Sequence, residues 1–332
     1  MAVSGSSVLE AATPELAAAV QDDLARVEAR LRDVVRSAHP MLDAASGHLA
    51  EAGGKRVRPL LALLAARLGD PTAPGVVDAA VVVELTHLAT LYHDDVMDEA
   101  AVRRGAPSAN ARWTNTVAIL TGDFLFARAS DLTAGLGTEA TRIQSRTFAR
   151  LVEGQIAETA GPADGQDPVE HHLQVIADKT ASLLSTSARL GALMAGAPAA
   201  DVDTVARFGE VFGAAFQLSD DLIDVLSESG QSGKTPGTDL REGVRTLPVL
   251  LVLASDDPQD ARLRELLQGD LTDDARLAEA LALLRVHPAL QVARDRLATY
   301  VEQARAVAAE LPAGPVRQAL SSLPDFVLAR TG

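Results

Sequence analysis

The sequence predicts an all-α protein, and three observations favour that class. The 332 residues are rich in Ala and Leu, which stabilise helices well. Along most of the chain, apolar residues recur at intervals of three and four, which places them on one face of a helix. No run of residues alternates between apolar and polar in the way that is typical of a half-buried strand. We therefore expect one all-α domain of more than ten helices.

The helices are predicted to follow one another with short connections. In the first of them, apolar residues repeat from Leu16 to Leu31 at helical spacing. The second covers 57–68 and ends at Gly69-Asp70-Pro71. The third, 76–100, is apolar on nearly every side, so it belongs at the centre of a large bundle. Further helices are predicted at 110–134, 139–158, 169–195, 201–226, 244–255, 259–268, 274–286, 288–311 and 314–329.

Composition bounds the organisation of the chain and excludes several functions. Hydrophobic residues make up 47%, and no internal boundary is evident, so one domain is expected at 14–332 after a disordered leader at 1–13. The absence of Cys excludes disulfides, thiolate metal sites and Cys nucleophiles. A net charge of -15 with 3% aromatic residues argues against a nucleic-acid partner.

The chain shows neither a secretory signal nor an uncharged apolar run of roughly 18 to 20 residues, the length of a membrane span. We therefore expect a cytoplasmic protein that has no membrane span. An apolar substrate or product would still bring it to a membrane surface.

Two acidic motifs of the form D-D-x-x-D lie on predicted buried helices. The first contains Asp94, Asp95 and Asp98, and the second contains Asp220, Asp221 and Asp224. Acids four residues apart on a helix lie on one face, and burying them without a cation would cost several kcal/mol or force protonation. Carboxylate oxygens favour Mg²⁺ or Ca²⁺, whereas zinc would normally require His or Cys as well. Mg²⁺ would complete its coordination with water and phosphate oxygens.

Basic residues are placed where they can complement these acids. They are Lys55 and Arg58 in the Gly-Gly-Lys-Arg-Val-Arg-Pro run at 53–59, Arg103 and Arg104 after the first motif, Lys179 inside an apolar helix, and Lys234 in the loop after the second motif. Two glycines at a helix start let backbone N–H groups approach an anion, and Arg suits bidentate contacts with phosphate. Single surface cations are ordinary, but their joint placement beside two acidic motifs indicates a phosphate-binding site.

These motifs resemble those of the trans-isoprenyl (polyprenyl) diphosphate synthases. The resemblance covers roughly 20–330 and also includes Gly122-Asp123, Lys179-Thr180, Phe216-Gln217 and Gly233-Lys234 in the family's order. It implies mostly antiparallel helices around a deep central cavity, usually in a homodimer. It also implies a reaction in which Mg²⁺, as about three ions, supports the head-to-tail condensation of isopentenyl diphosphate with an allylic diphosphate. The product would be an all-trans polyprenyl diphosphate.

The resemblance also implies a role for each matched residue. Metal ions would be held by Asp94, Asp98 and Asp220, with Asp95, Asp221 and Asp224 completing the motifs. Arg103 would contact the allylic diphosphate, Lys179 and Lys234 would stabilise the leaving diphosphate, and Thr180 and Gln217 would line the cation side. Isopentenyl diphosphate would be held by Lys55, Arg58, His87 and Arg104. His87 lies two helical turns before Asp94 on nearly the same face, so it can share the pocket.

One position departs from the family. Many relatives have Lys where this chain has Val244, and that Lys touches the allylic diphosphate. Either this diphosphate is held less tightly here, or the adjacent Arg245 substitutes for the missing Lys.

Product length is expected to depend on the floor of the cavity. The resemblance places that floor near Ala89, five residues before the first Asp, with Thr90 beside it. Short-chain synthases tend to carry bulky aromatic residues there, so the small Ala89 favours a medium or long chain, such as a quinone side-chain precursor. A geranylgeranyl or farnesyl diphosphate synthase is the alternative.

Two other functions compete with a synthase. A terpene cyclase would usually replace the second D-D-x-x-D motif with a mixed Asn/Ser/Glu triad, and it would not need the basic run at 53–59. A non-catalytic partner subunit of a heteromeric synthase would typically lose an acidic motif. This chain keeps both motifs, and only Val244 points towards such a subunit.

Overall fold

The computed structural model describes residues 13–227 and 236–331. The expected leader, apart from Thr13, and the candidate Lys234 lie outside these residues. In the described parts the chain is almost entirely helical, which confirms the predicted fold class. The only strands in the described parts are β1 (Val102–Arg103) and β2 (Ala106–Pro107), which have two residues each and pair as an antiparallel hairpin.

The elements run in the following order. The first half of the chain contains α1 (Pro14–Val34), α2 (Pro40–Glu51), α3 (Val57–Ala66), α4 (Val76–Met97), the hairpin, α5 (Ala109–Arg112), α6 (Asn115–Leu136) and α7 (Thr138–Ala160). The second half contains α8 (Pro168–Ile176), a π-helical turn (Ala177–Ala181), α9 (Ser182–Met194), α10 (Ala199–Leu226), α11 (Thr238–Arg241), α12 (Leu247–Leu253), a 3₁₀ turn (Pro258–Asp260), α13 (Ala261–Gln268), α14 (Asp274–Val286), α15 (Pro288–Ala309) and α16 (Pro315–Ala329).

Two predicted helices are interrupted. The helix expected at 110–134 breaks at Trp113, because the Thr114 side chain accepts a hydrogen bond from the Val117 N–H and caps a new helix. The helix expected at 169–195 contains the π-helical turn, which apolar periodicity does not reveal.

The short helices α2 and α11 were not expected from the sequence. The buried positions of α2 include Ala45, Ser46 and Ala50, which carry little apolar signal. α11 has only four residues, so it offers no period to recognise.

Helix α4 lies in the core, as its composition predicts. Its residues from Ala79 to Thr86 are all buried, and the apolar ones belong to clusters that also contain side chains of α1, α3, α6 and α9. By length and composition alone α4 could cross a membrane, although Asp78 and Glu84 interrupt its apolar residues, so it is not the uncharged run that a span was expected to require. Because 67% of its most apolar window is buried inside the fold, α4 has the character of a core helix.

Candidate active site

A cavity of about 240 Å³ lies between α4, α6, α7, the π-helical turn and α10. One end is polar and is lined by Arg58, Asp94, Lys179, Thr180 and Gln217. The other end is mainly apolar and is lined by Phe126, Phe148, Leu151 and Val152. The remaining lining residues are His87, Thr90, His93, Met97 and Gln155. The cavity therefore joins a charged end to an apolar end, as a site for an amphipathic substrate must.

The first acidic motif is at the polar end. Burial raises the pKa of Asp94 to about 6, and the neighbouring charge of Asp98 adds to this, while Lys179 and Arg103 oppose it. Burial also raises the pKa of Asp98, whose side chain is 40% exposed. A cation held between these two carboxylates would favour their charged forms.

Asp95, the second acid of this motif, has a different partner. It is fully buried and accepts a hydrogen bond from Nε of Arg103 at 2.6 Å. Successive helical residues are turned by about 100°, so Asp95 cannot share the face of Asp94 and Asp98. The structure therefore pairs Asp95 with Arg103, and a role for Asp95 in metal binding stays a prediction.

A tight hairpin places the two arginines that follow this motif. Arg104 and Gly105 form its turn with φ values of 53° and 77°, a pattern of positive φ that is typical of two-residue hairpin turns. Arg103 precedes the turn and faces the acids. Arg104 points the other way and donates to the carbonyl oxygens of Leu49, at 3.0 Å, and of Gly53.

In the second motif, Asp220 contacts two cations. Nη2 of Arg330 lies 2.6 Å from its carboxylate, and Nζ of Lys55 lies 3.4 Å away. Asp221 accepts from Nε2 of Gln217 at 2.8 Å, and its second oxygen lies 3.4 Å from Nε2 of His172. Asp221 is thus aligned by the side chain of Gln217, which itself lines the cavity.

Asp224 has a structural partner as well. Its carboxylate accepts hydrogen bonds from the N–H groups of Thr238 and Asp239, each at 3.1 Å. These bonds hold the start of α11 against α10, beyond the segment at 228–235.

The acids fit a hard cation that is completed by a substrate. Among residues 13–227 and 236–331, no three acidic or histidine side chains converge as an all-protein metal cage. Mg²⁺ usually takes only one or two carboxylates and fills its coordination sphere with water and phosphate oxygens, which fits the pair Asp94 and Asp98. Asp220 does not line this cavity, and its carboxylate contacts Arg330 and Lys55. The raised pKa of Asp94 fits the same picture, because a buried carboxylate without a cation is disfavoured in its charged form.

The π-helical turn places Lys179 and Thr180. Lys179 forms an ion pair with Glu158 of α7, and Thr180 donates to Oε1 of Gln217 at 2.9 Å. Burial alone would lower the pKa of Lys179, but Glu158 and Asp94 outweigh it and the net shift is upward. Lys179 is therefore a firmly charged group beside the first motif.

Glycines let neighbouring helices approach this turn. A Cβ on Gly154 of α7 would lie 2.8 Å from the backbone N of Lys179. A Cβ on Gly213 of α10 would lie 2.5 Å from Cα of Ala181. The turn is thus clamped from two sides by contacts that leave no room for a methyl group.

The basic run at 53–59 folds around a buried carboxylate. Glu84, which is 2% exposed, accepts from Nη1 of Arg56 at 2.6 Å and lies 3.8 Å from Nη2 of Arg104. Burial lowers the pKa of Arg58 to about 10, and Arg104 contributes while Glu84 opposes the shift. The side chain of Arg104 lies over Gly54, where a Cβ would come within 2.9 Å of its guanidinium carbon.

His87 lies beside these arginines and lines the cavity. Burial, together with the charges of Arg58 and Arg104, holds its pKa well below the usual range. His87 is therefore neutral and offers a hydrogen bond without adding positive charge.

The two residues expected at the cavity floor, Ala89 and Thr90, have different surroundings in the structure. Thr90 lines the cavity, as expected. Ala89 is fully buried in the core cluster that contains Leu85, Leu88 and Tyr92, and it does not line the cavity. The floor assignment for Ala89 is therefore corrected: its position, one residue from Thr90, turns it by about 100° into the core.

The departure at Val244 lies in a segment that is not helical. The predicted helix at 244–255 begins only at Leu247, and Arg245 is exposed.

Four residues with contacts at the site were not found from the sequence. They are Glu84, Glu158, His172 and Arg330. Each is far in sequence from the group that it contacts, and none belongs to a local motif. Of the four, only Glu84 could have been noticed in the sequence, because a charged residue is unusual on an apolar helix.

The comparisons with known proteins identify the family of the chain. Residues 39–284 match the polyprenyl synthetase family. A nonaprenyl diphosphate synthase of Mycobacterium tuberculosis is 52% identical over 317 residues, which cover 95% of each chain.

Solved structures are similar to the chain as well. A geranylgeranyl pyrophosphate synthase of Corynebacterium glutamicum, complexed with calcium and isoprenyl diphosphate, superposes with a TM-score of 0.86 at 46% identity, covering 96% of this chain and 98% of that one. A decaprenyl diphosphate synthase of Rhodobacter capsulatus superposes with a TM-score of 0.85 at 38% identity, covering 96% of this chain and 99% of that one. The chain belongs to the polyprenyl synthetase family and is a prenyltransferase, a polyprenyl diphosphate synthase.

Proposed function

We propose that this enzyme elongates an allylic diphosphate with isopentenyl diphosphate, using Mg²⁺, to a medium- or long-chain all-trans polyprenyl diphosphate. One observation carries the proposal: a single cavity has Asp94, Lys179, Thr180 and Gln217 at one end and mainly apolar side chains at the other. The charged end suits a diphosphate, and the apolar end suits a hydrocarbon tail.

The chemistry begins when the bond between C1 and oxygen of the allylic diphosphate breaks. The electron pair leaves with the diphosphate, which gains negative charge, and an allylic carbocation remains. Lys179 and Arg103 stabilise the charge that develops on the leaving group. Mg²⁺ held by Asp94, Asp98 and Asp220 would supply Lewis-acid stabilisation of the same oxygens.

The cation is then attacked by the double bond of isopentenyl diphosphate. A new carbon–carbon bond forms, the positive charge moves to the tertiary carbon, and loss of one proton restores a double bond. The carbonyl oxygen of Gln217 and the hydroxyl of Thr180 face the cation side, and the apolar wall keeps water from quenching the cation.

The second diphosphate is assigned to the basic run. Lys55, Arg58 and Arg104 offer three cations, and neutral His87 adds a hydrogen-bonding nitrogen. Lys234 is assigned to the leaving diphosphate by resemblance alone, since it lies outside the described residues. Val244 receives no role.

A homodimer is part of the proposal. Helices α6 and α7 expose a run of apolar side chains, of which Leu120 is 58% and Ile156 is 63% exposed. Apolar residues this open to water are typical of a face that packs against a partner. We also propose a cytoplasmic location, with peripheral transfer of the product to a membrane.

The product length is proposed from the resemblance and from the names of the relatives. Those names include nonaprenyl and octaprenyl diphosphate synthases, and also geranylgeranyl pyrophosphate synthases. We favour the longer products because the relative at 52% identity is named for one.

The direct test is incubation of the purified protein with Mg²⁺, labelled isopentenyl diphosphate and farnesyl diphosphate, followed by sizing of the products. Products several isoprene units longer than farnesyl support the proposal, and a product that stops at twenty carbons supports the shorter alternative. Lack of incorporation with several allylic primers favours a partner subunit. Release of a cyclic hydrocarbon from farnesyl diphosphate alone favours a cyclase.

A further inference from the structure

The π-helical turn that carries Lys179 differs from the flanking helices in its backbone hydrogen bonds. The N–H of Ser182 bonds to the carbonyl oxygen of Ala177, five residues back, whereas in an α-helix it would bond to that of Asp178. The hydroxyl of Ser182 donates to the Asp178 carbonyl instead, at 2.6 Å. Turns of this kind are rare and are frequent at functional sites. Side chains therefore support the register of this turn.

Helix α7 meets the turn with three residues spaced four apart, which share one face of the helix. Glu158 pairs with the side chain of Lys179. Gly154 lies against the backbone, since a Cβ there would come within 2.8 Å of the Lys179 nitrogen. Nε of Arg150 donates to the carboxylate of Asp178 at 2.8 Å. One face of α7 thus contacts the turn along its whole length.

Arg150 also ties the turn to α10. Its Nη2 donates to the carboxylate of Glu210 at 2.7 Å and to the carbonyl oxygen of Ala177 at 3.3 Å. That carbonyl is the one that accepts the five-residue bond from Ser182. Because a guanidinium is planar and its N–H groups point in fixed directions, these contacts fix the turn relative to both α7 and α10.

The partners of Arg150 leave it firmly charged and directed at the turn. Burial alone would lower the pKa of Arg150, but its hydrogen bonds to Glu210 and Asp178 outweigh burial and the net shift is upward. The second carboxylate oxygen of Asp178 accepts from the side chain of Gln174 at 2.7 Å. Arg150 does not line the cavity, so an effect of Arg150 on the reaction must pass through the turn.

A change of register in the turn would redirect Lys179. One residue of register corresponds to a rotation of about 100° about the helix axis. Such a rotation would carry the ammonium of Lys179 away from the polar end of the cavity, which it lines together with Asp94. The contacts that hold the register therefore also hold the direction of Lys179.

We propose that Arg150 is a positioning residue, which holds the π-helical turn between α7 and α10 and so keeps Lys179 directed at the leaving diphosphate. This inference rests on the role proposed above for Lys179. It gives the cluster of Arg150, Asp178 and Glu210 a function in the reaction although none of the three lines the cavity.

The test is single-turnover kinetics with enzyme in excess over labelled farnesyl diphosphate, at saturating isopentenyl diphosphate and Mg²⁺. The rate constant reports the chemical step, and the amplitude reports the fraction of active protein. In Arg150→Gln the rate constant is expected to fall at least tenfold at full amplitude. A rate constant within twofold of wild type, with or without a lower amplitude, would refute the proposal.

Two further variants separate positioning from charge and from general stability. Arg150→Lys keeps a cation between the two carboxylates, but one ammonium replaces a fixed fork of three nitrogens. Its rate constant is expected to fall at least threefold, and full wild-type activity would refute the clasp. Arg142→Gln is the matched control on α7, because Arg142 forms an exposed ion pair with Glu139. It is expected to keep the wild-type rate constant.

A double variant tests whether Arg150 acts through Lys179. In a Lys179→Ala background, Arg150→Gln is expected to lower the rate constant by less than threefold further, because the group that it directs is already absent. A further tenfold loss would show that Arg150 acts by another route. If Lys179→Ala itself keeps the wild-type rate constant, the role proposed for Lys179 is refuted instead.

Hydrogen exchange without substrate keeps the test independent of turnover. Amides at 177–183 are expected to exchange at least tenfold faster in Arg150→Gln than in wild type, while those at 79–86 in the buried part of α4 stay unchanged. Unchanged exchange at 177–183 would show that Arg150 does not hold the turn. Lack of product from the wild type would instead refute the proposed function.

Discussion

The guanidinium of Arg103 and the carboxylate of Asp95 are joined by a hydrogen bond of 2.6 Å, and the second carboxylate oxygen of Asp95 is buried without a partner among the residues that the structure describes. This bond divides the first acidic motif. Asp95 anchors the hairpin that carries Arg103 and Arg104, and its neighbours Asp94 and Asp98 remain on the face towards Lys179.

Because Asp95 pairs with Arg103 whereas Asp94 faces Lys179, substitutions at the two places are predicted to have different consequences. Asp94→Ala is expected to lower turnover by at least about 100-fold, as the loss of one electrostatic contact to a transition state does, while the protein stays folded. Arg103→Gln is expected to destabilise the protein by about 3 to 5 kcal/mol, because Asp95 would remain as an uncompensated buried charge. Steady-state kinetics and urea unfolding measure the two effects. Near-normal turnover of the Asp94 variant would remove Asp94 from the metal site.

Stability in the absence of metal is predicted to depend on Asp94 and pH. The pKa of this carboxyl is about 6 in the folded protein against an ordinary value of 3.8, so the folded state binds more protons between these values and stability falls as pH rises through them. The difference corresponds to at most about 3 kcal/mol. Asp94→Asn removes this penalty, so in a chelator the variant should be more stable than wild type at pH 7 and nearly equal to it at pH 4.

Thermal unfolding at both pH values measures this difference, with Asp131→Asn on the exposed side of α6 as the control. A variant that is less stable than wild type at pH 7 would show that burial does not disfavour the Asp94 carboxylate.

Gly154 is predicted to set the position of Lys179. In Gly154→Ala the new methyl group would lie 2.8 Å from the Lys179 backbone nitrogen, so the π-helical turn must shift. Overpacking of this kind costs about 1 to 3 kcal/mol, and we expect kcat to fall about tenfold or more. Gly135→Ala on α6 is the matched control, since a Cβ there meets nothing within 4 Å. Equal behaviour of the two variants would show that the clamp does not hold the turn in place.

Glu84 is predicted to hold the cations of the isopentenyl diphosphate site. Glu84→Gln removes the buried charge between Arg56 and Arg104, so we expect KM for isopentenyl diphosphate to rise about tenfold, which is about 1.4 kcal/mol. KM for the allylic substrate should change less than twofold. Glu28→Gln is the control, because Glu28 also pairs with Arg56, at 2.5 Å, but is 31% exposed. A parallel rise in both KM values would indicate general unfolding of the site.

The sequence predicted those parts of the site that depend on local pattern. The first D-D-x-x-D motif lies at the C-terminal end of α4 and the second lies on α10, as expected, and residues three and four apart share a helical face. Lys179, Thr180 and Gln217 meet in one cavity, which their positions in separate motifs already suggested.

Other parts depend on contacts between distant residues and could not be predicted. Arg330 lies 110 positions from Asp220 and reaches it only because α16 packs against α10. The helix predicted at 169–195 runs straight through the π-helical turn, because five residues are too few to show a change of period. Ala89 was misplaced because a shift of one residue on a helix separates the cavity wall from the core.

The most direct measurement is an anomalous difference map from crystals grown with Mn²⁺ and an unreactive allylic thiodiphosphate. We predict manganese peaks that bridge the diphosphate to Asp94 and Asp98 on one side and to Asp220 on the other. A bound analogue with no metal between the two motifs, or metal bound at only one motif with the diphosphate elsewhere, would contradict the account.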